Sequence, residues 1–356
     1  MREILLYSNS QNNPDMLYFS GISIPDAFFA FTHKSKRCAI LSKLEIGRAK
    51  KNSLFDEIFS QELSHIELFK KLKIKKFLVP ANFPALTLEN LRKENFDIKV
   101  CETEIFPERE CKSKKEIQEI ILANKAASNS FARVEEILRE SKISKDKILW
   151  QNKILTSEIL RQEIEITCIK SGAIAADTIV ACGNQACDPH CIGYGKISPN
   201  QTIVVDIFPK TSATSYYGDM TRTFLKGKAN DAQIDLYNTV KKAHGDALKK
   251  VRAGIDGNFI YENVCKFFEK NNYKTFSKNN QWQGFFHGLG HGIGLAIHES
   301  PNVGRTKNIL KENAVVTIEP GLYYLGLGAC RIEDNVLLKK DKSILLSDYN
   351  YNFVIE

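Results

Sequence analysis

Residues 287–299 read HGLGHGIGLAIHE. They hold three of the chain's seven histidines, His287, His291 and His298, and four glycines, Gly288, Gly290, Gly292 and Gly294. The spacing of His287 and His291 suits a pair on one helix turn, but each interior glycine costs a helix roughly 1 kcal/mol. An irregular strand or loop is expected instead, in which glycine lets the backbone approach a bound group closely. Histidine here marks a site, and the acids around it indicate the kind.

Four acids each adjoin a strand-like apolar run: Asp206 ends TIVVD, Asp219 lies in GDMTRTF, Glu319 in VVTIEPGLYY and Glu333 in CRIEDNVLL. A carboxylate at the end of a buried strand must be paired, protonated or bound to a cation, because isolated burial of its charge is prohibitive. Four carboxylates carry a formal charge that two divalent cations would cancel. Oxygen-rich ligation with one imidazole suits Mn, Co, Fe or Zn. Asp206 and Asp219 are too far apart for one helix face, but two paired strands joined by PKTSATSYY would turn both toward one cavity. Asp219, Thr221 and Thr223 then share a side, so a hydroxyl can support the site. Glu319 and Glu333 repeat the arrangement, with GLYYLGLGAC as the connection of a hairpin. Taken singly, each aspartate could be a turn residue, and Glu333 could pair with Arg331 two positions away.

The 356-residue length allows two domains, and 43% apolar residues with 21 phenylalanines supply the cores. No apolar run approaches a membrane span, and MREILLYSNS lacks the apolar core and cleavage site of a signal peptide, so a cytosolic protein is expected. Nine cysteines read as reduced thiols. Cys182, Cys187 and Cys191 flank His190, either as free thiols or as a thiolate zinc site, although no CxxC pair is present. The net charge of +8 is modest, and the basic runs at 70–76 and 112–115 read as solvated helix faces. No nucleic-acid or membrane partner is expected.

Residues 1–110 alternate strand and helix patterns in α/β order, with DAFFAF, RCAIL, KFLVP and DIKVC as strands and no acid or histidine cluster. From 111 to 356 the order is helices, strands, helices, strands. A long helix is marked by Ile117, Ile120, Ile121, Ala127, Phe131, Val134 and Leu138, a second runs from Thr156 to Ile169, and two more cover roughly 232–251 and 258–271. This predicts an α+β domain whose helices cover a curved, mostly antiparallel sheet.

These residues resemble the pita-bread metallopeptidases, the family of creatinase, aminopeptidase P, prolidase and methionine aminopeptidase. The likeness covers the second domain, and NPDMLYFSG in the first is similar to the creatinase-type N-terminal domain of the Xaa-Pro branch. The resemblance implies that Asp206, Asp219, His291, Glu319 and Glu333 ligate two divalent ions, Mn ahead of Co, Zn or Fe. Asp219 and Glu333 would bridge them, and Glu319 would shuttle the proton of the bridging water. His190, in GNQACDPH, would face substrate with His287 and His298, and Arg331 would join them. The implied activity is hydrolysis of the N-terminal Xaa-Pro bond of a peptide through a metal-bridging hydroxide, by a homodimer. Prolidase and a non-catalytic peptide-binding relative are the alternatives. Two departures bear on this. The Asp206–Asp219 interval is two residues longer than is common, with DIFPK for DIGA. Asn302 follows HESP where prolidase-like members often carry an arginine that clamps a substrate carboxylate, and Arg305 is the nearby candidate to replace it.

Overall fold

The structure, a computed structural model, describes residues 2–356. It separates into two compact units, one ending at Pro107 and one running from Glu108 to Glu356.

The first unit is a six-stranded mixed sheet. Its elements are β1 (Glu3–Ser8), α1 (Pro14–Ser20), β2 (Phe28–His33), β3 (Lys36–Leu41), α2 (Lys43–Asn52), β4 (Glu57–Ser60), α3 (His65–Lys71), β5 (Lys76–Val79), α4 (Ala85–Lys93) and β6 (Asp97–Val100). The strand order is β4-β3-β2-β1-β5-β6, with β1 to β3 an antiparallel meander and the outer strands parallel to their neighbours. Asn13 caps α1 and Pro14 opens it, the usual start signal. Phe31, Phe69, Phe77 and Phe96 pack edge to face in the core.

In the second unit, helix α5 (Lys114–Glu140) starts at a capping box of Ser113 and Glu116, and its stripe Ile117, Ile120, Ala127, Phe131, Val134 and Leu138 is buried. Thr156 caps α6 (Ser157–Lys170). Helix α7 (Asp231–Lys250) opens on a second capping box, Asn230 with Gln233, and Asp256 caps α8 (Gly257–Lys270).

Each helix pair covers one sheet. Phe131, Leu138, Leu160 and Ile164 pack on Ile203, Val205 and Phe224 of a first sheet. Its strands run Ile179–Cys182, Thr202–Ile207, Met220–Lys226 and Val354–Ile355 in spatial order, antiparallel except for the last. Leu236, Val240, Ile260 and Val264 pack on Val316, Ile318, Val336 and Leu338 of a second, wholly antiparallel sheet. Its order is Glu299–Val303, Gly290–Gly292, Val315–Ile318, Asp334–Leu338, Ser343–Leu345. Each such side chain stabilises the fold by roughly 1.5–3 kcal/mol on burial.

The mostly antiparallel arrangement is thus divided between two sheets, joined by an isolated bridge between Thr221 and Glu333. GLYYLGLGAC is also more than a connection, because Gly321–Tyr324 and Gly328–Arg331 pair as a ribbon inside the Glu319–Glu333 hairpin. The pleat sorts side chains: Ile203, Val205 and Ile207 face the helices, which puts Asp206 on the opposite side.

Candidate functional site

Asp206 and Asp219 lie where predicted, across the Thr202–Ile207 and Met220–Lys226 pair, with Asp206 opposite Thr221 and Asp219 just before the second strand. Glu319 and Glu333 end the Val315–Ile318 and Asp334–Leu338 pair, in which Ile318 faces Asp334. His291 is the middle residue of the three-residue strand Gly290–Gly292, an irregular strand with a register shift after it. The flanking glycines are dictated by contact. A Cβ on Gly290 would lie 1.9 Å from the Thr317 carbonyl oxygen, and one on Gly292 would lie 2.1 Å from that of Ser300.

Ligand atoms of Asp219, His291 and Glu333 all lie within 4.8 Å of one another. His291 Nε2 is 3.7 Å from Asp219 Oδ2 and 3.6 Å from Glu319 Oε1. Its Nδ1 is 3.1 Å from the Gly292 carbonyl, which can only accept, so Nδ1 carries the proton and Nε2 offers a lone pair to the acids. Burial and the adjacent His298 push the imidazole down to about 4, so it is neutral at ordinary pH.

The acids are crowded and dry. Asp206 Oδ1, Asp219 Oδ1 and Glu333 Oε1 are buried without a hydrogen-bond partner among the described residues. Burial, then Glu333, Asp206 and Glu319, raise Asp219 well above the usual carboxylate range; burial, then Glu319 and Asp206, do the same to Glu333. Burial also raises Glu319, to about 8, against the opposing pull of Arg331. Carboxylate oxygens and an imidazole lone pair converging in a desolvated cluster are the donors a divalent cation takes, so the donor set fits divalent metal.

Supporting groups fix these donors. The Thr221 hydroxyl donates to Glu333 Oε2 at 2.9 Å, and the Asp219 N–H donates to Asn124 Oδ1 at 3.1 Å. Arg331 donates to Asp206 Oδ2 at 2.7 Å and to the Tyr323 hydroxyl at 2.9 Å. Arg331 therefore pairs with Asp206 and not with Glu333. His287 Nδ1 donates to the Gly288 carbonyl at 2.7 Å, so Nε2 accepts from the Tyr323 hydroxyl at 2.9 Å. Burial and Arg331 push His287 down to about 3.

Tyr323 and Asn124 had no sequence signal of their own. One sits in an apolar GLYY run and the other in a helix face, and only the register brings them to the site. His190 and His298 are exposed side chains at its margin. The His298 ring lies edge-on to His291, 4.3 Å between centroids, and His190 is close enough to lower both His287 and His298. Cys182, Cys187 and Cys191 form no metal-binding group among the described residues, and burial raises the Cys182 and Cys187 thiols. Asn302 pairs with His291 across the ladder. Arg305 is engaged elsewhere, with Tyr261 Oη at 3.2 Å and the Phe286 carbonyl at 3.1 Å.

Oxygen donors around one neutral imidazole, at the junction of two sheets, make this an α+β protein with a candidate divalent-metal centre. Metallopeptidase family M24 matches residues 118–340, most of the second unit, and the chain belongs to that family. Over 204 residues the chain is 37% identical to a Mycoplasma genitalium protein provisionally named Xaa-Pro aminopeptidase; that match spans 54% of this chain and 53% of the relative. It is 28% identical to a Pyrococcus horikoshii Xaa-Pro dipeptidase over 93% of this chain and 89% of that one. The solved prolidase of Pyrococcus horikoshii superposes with a TM-score of 0.83 at 26% identity, covering 99% of this chain and 95% of the other. The family implies divalent metal ions, and the Asp219–His291–Glu333 group is the candidate place for them.

Proposed function

We propose that the protein is an Xaa-Pro exopeptidase that removes the N-terminal residue preceding a proline in second position from peptides longer than two residues, with Asp206, Asp219, His291, Glu319 and Glu333 holding two divalent ions, Mn first. The observation that carries the reading is the convergence of unpaired carboxylate oxygens on the His291 lone pair in a chain of this family. Relatives named for Xaa-Pro bonds support the substrate class. Bound divalent ions supply Lewis-acid polarisation of the scissile carbonyl and activation of water.

The chain's own residues do the rest. The His291 tautomer and the Thr221 hydroxyl aim two donors. Glu319, its Oε1 3.6 Å from His291 Nε2 among the donors, is suited to taking and returning the proton of the attacking water. The Asp206–Arg331–Tyr323–His287 chain fixes the His287 ring, and His190 and His298 at the margin are placed to meet the peptide. A bond to proline is a tertiary amide without N–H, so recognition cannot use that donor. Asn302 is neutral and Arg305 is already engaged, which favours longer peptides over dipeptides. Nine free cysteines fit a reducing cytosol, and the family resemblance supports a homodimer.

A second reading, dipeptidase, is favoured by the relative that covers most of the chain. The purified protein with Mn, with and without chelator, would be offered an Xaa-Pro dipeptide, an Xaa-Pro tripeptide and a Met-Ala tripeptide. Chelator-sensitive cleavage of the Xaa-Pro tripeptide is expected. Preference for the dipeptide selects the second reading, and no cleavage of any of the three despite bound metal sinks both.

A further inference from the structure

On the helix-covered side of the sheet junction lies a group of charges that the proposed chemistry does not use. Arg222 is only 1% exposed. Neighbouring residues on a strand point to opposite faces, so Thr221 and Glu333 turn toward the site while Arg222 and Asp334 turn away from it. The guanidinium spends all five of its N–H donors. Nη1 donates to the carbonyls of Thr221 at 2.9 Å and Glu333 at 2.7 Å, the two residues of the bridge between the sheets. Nη2 donates to Asp334 Oδ1 at 2.8 Å and to the Tyr349 carbonyl at 3.0 Å, and Nε to the Asn350 carbonyl at 2.9 Å.

Asp334, wholly buried, is the counter-charge. Its Oδ2 accepts from the Tyr351 hydroxyl at 2.7 Å and lies 3.2 Å from His244 Nε2. The Tyr351 ring covers the guanidinium face, 4.4 Å from Arg222 Cζ to the ring centroid. A cation in this position would be expensive to bury for packing alone, and its two contacts on the bridge tie it to the main chain of Thr221 and of Glu333 itself.

We infer that Arg222 is a positioning residue for the candidate metal centre. It acts through the main chain of Thr221 and Glu333, setting where the Glu333 carboxylate and its Thr221 hydrogen bond stand relative to Asp219. The C-terminal segment at Tyr349–Tyr351 belongs to the same device, because it supplies two of the five acceptors and the hydroxyl on Asp334. The inference rests on the metal reading given above. Lysine keeps the charge but has three donors and no planar fork, so it cannot hold both bridge carbonyls, Asp334 and the C-terminal segment together.

The test is Mn binding to the full chain, read by chelator competition, for wild type, Arg222→Lys and the milder Tyr351→Phe, with circular dichroism to establish folding. Arg222→Lys is expected to weaken at least one of two Mn ions by roughly 10–100-fold, the range typical of groups that hold a ligand in place. Tyr351→Phe should shift the same ion in the same direction by less. A purely structural role would lower the melting temperature and leave Mn affinity of the folded protein unchanged. Wild-type affinity in folded Arg222→Lys overturns the inference; if that variant does not fold, wild-type affinity in Tyr351→Phe overturns it. A wild-type chain that binds no divalent ion overturns the metal reading, and this inference with it.

Discussion

His291 meets the acids in one tautomer because its other ring nitrogen faces a carbonyl that can only accept. Replacing it or Glu333 by alanine removes a donor without opening a hydrophobic cavity. His291→Ala and Glu333→Ala are each expected to fold, to lose Mn, and to lose at least about a thousandfold in kcat/KM, several kcal/mol of transition-state stabilisation. Turnover near wild type in either would end the two-metal reading. The raised acids also make a pH prediction for the metal-free protein. Between the ordinary and the raised value of such an acid the native chain holds more protons than the unfolded one, so stability falls as pH rises. For Glu319 the window runs from 4.5 to about 8, and Asp219 and Glu333 act in the same sense. His287 and His291, pushed down to about 3 and about 4, give the opposite slope, confined below 6.5. Urea denaturation of metal-free protein should therefore show stability declining from pH 6.5 to 8. Glu319→Gln should lessen the decline and saturating Mn should remove it. The acids and His291 were legible in sequence because a strand-end carboxylate among apolar residues demands a partner. Tyr323 was not, since its contact with Arg331 exists only once the Gly321–Tyr324 and Gly328–Arg331 ribbon has formed.

Among the elements, the histidine strand leaves no room for added bulk at two of its three positions. The Cβ positions of Gly290 and Gly292 fall on backbone oxygens, which cannot yield as a flexible side chain can. Gly292→Ala is expected to cost about 1–3 kcal/mol, the usual range for overpacking, and to weaken Mn binding because His291 shifts with the strand. Thermal melts with and without Mn would read both, and an unchanged melt together with unchanged affinity would refute the packing argument. The helices of the second unit were legible to within a residue or two because caps and apolar stripes are local signals. The two-sheet division and the inner ribbon were not, because strand pairing is a long-range property and GLYYLGLGAC carries the glycines of an ordinary connection.

For the molecule as a whole, metal and folding should be linked. An ion that binds only the native state stabilises it by about 2.7 kcal/mol at a free concentration one hundred times Kd, which raises the melting temperature of a domain this size by roughly 5–10 °C. Chelation should reverse that shift in calorimetry, and a melting temperature indifferent to Mn would contradict a native site. The two-unit order was visible in the change from α/β alternation to grouped helices and strands, but the sheet junction depends on residues more than one hundred positions apart. That junction carries its own gauge. The Glu333 amide hydrogen points across it to the Thr221 carbonyl at 3.1 Å. Its rate of exchange with deuterated solvent reports every opening of the seam between the sheets. Slower exchange in Mn than in chelator would record, at a single hydrogen, the cations acting as a fastener between the two halves of the domain.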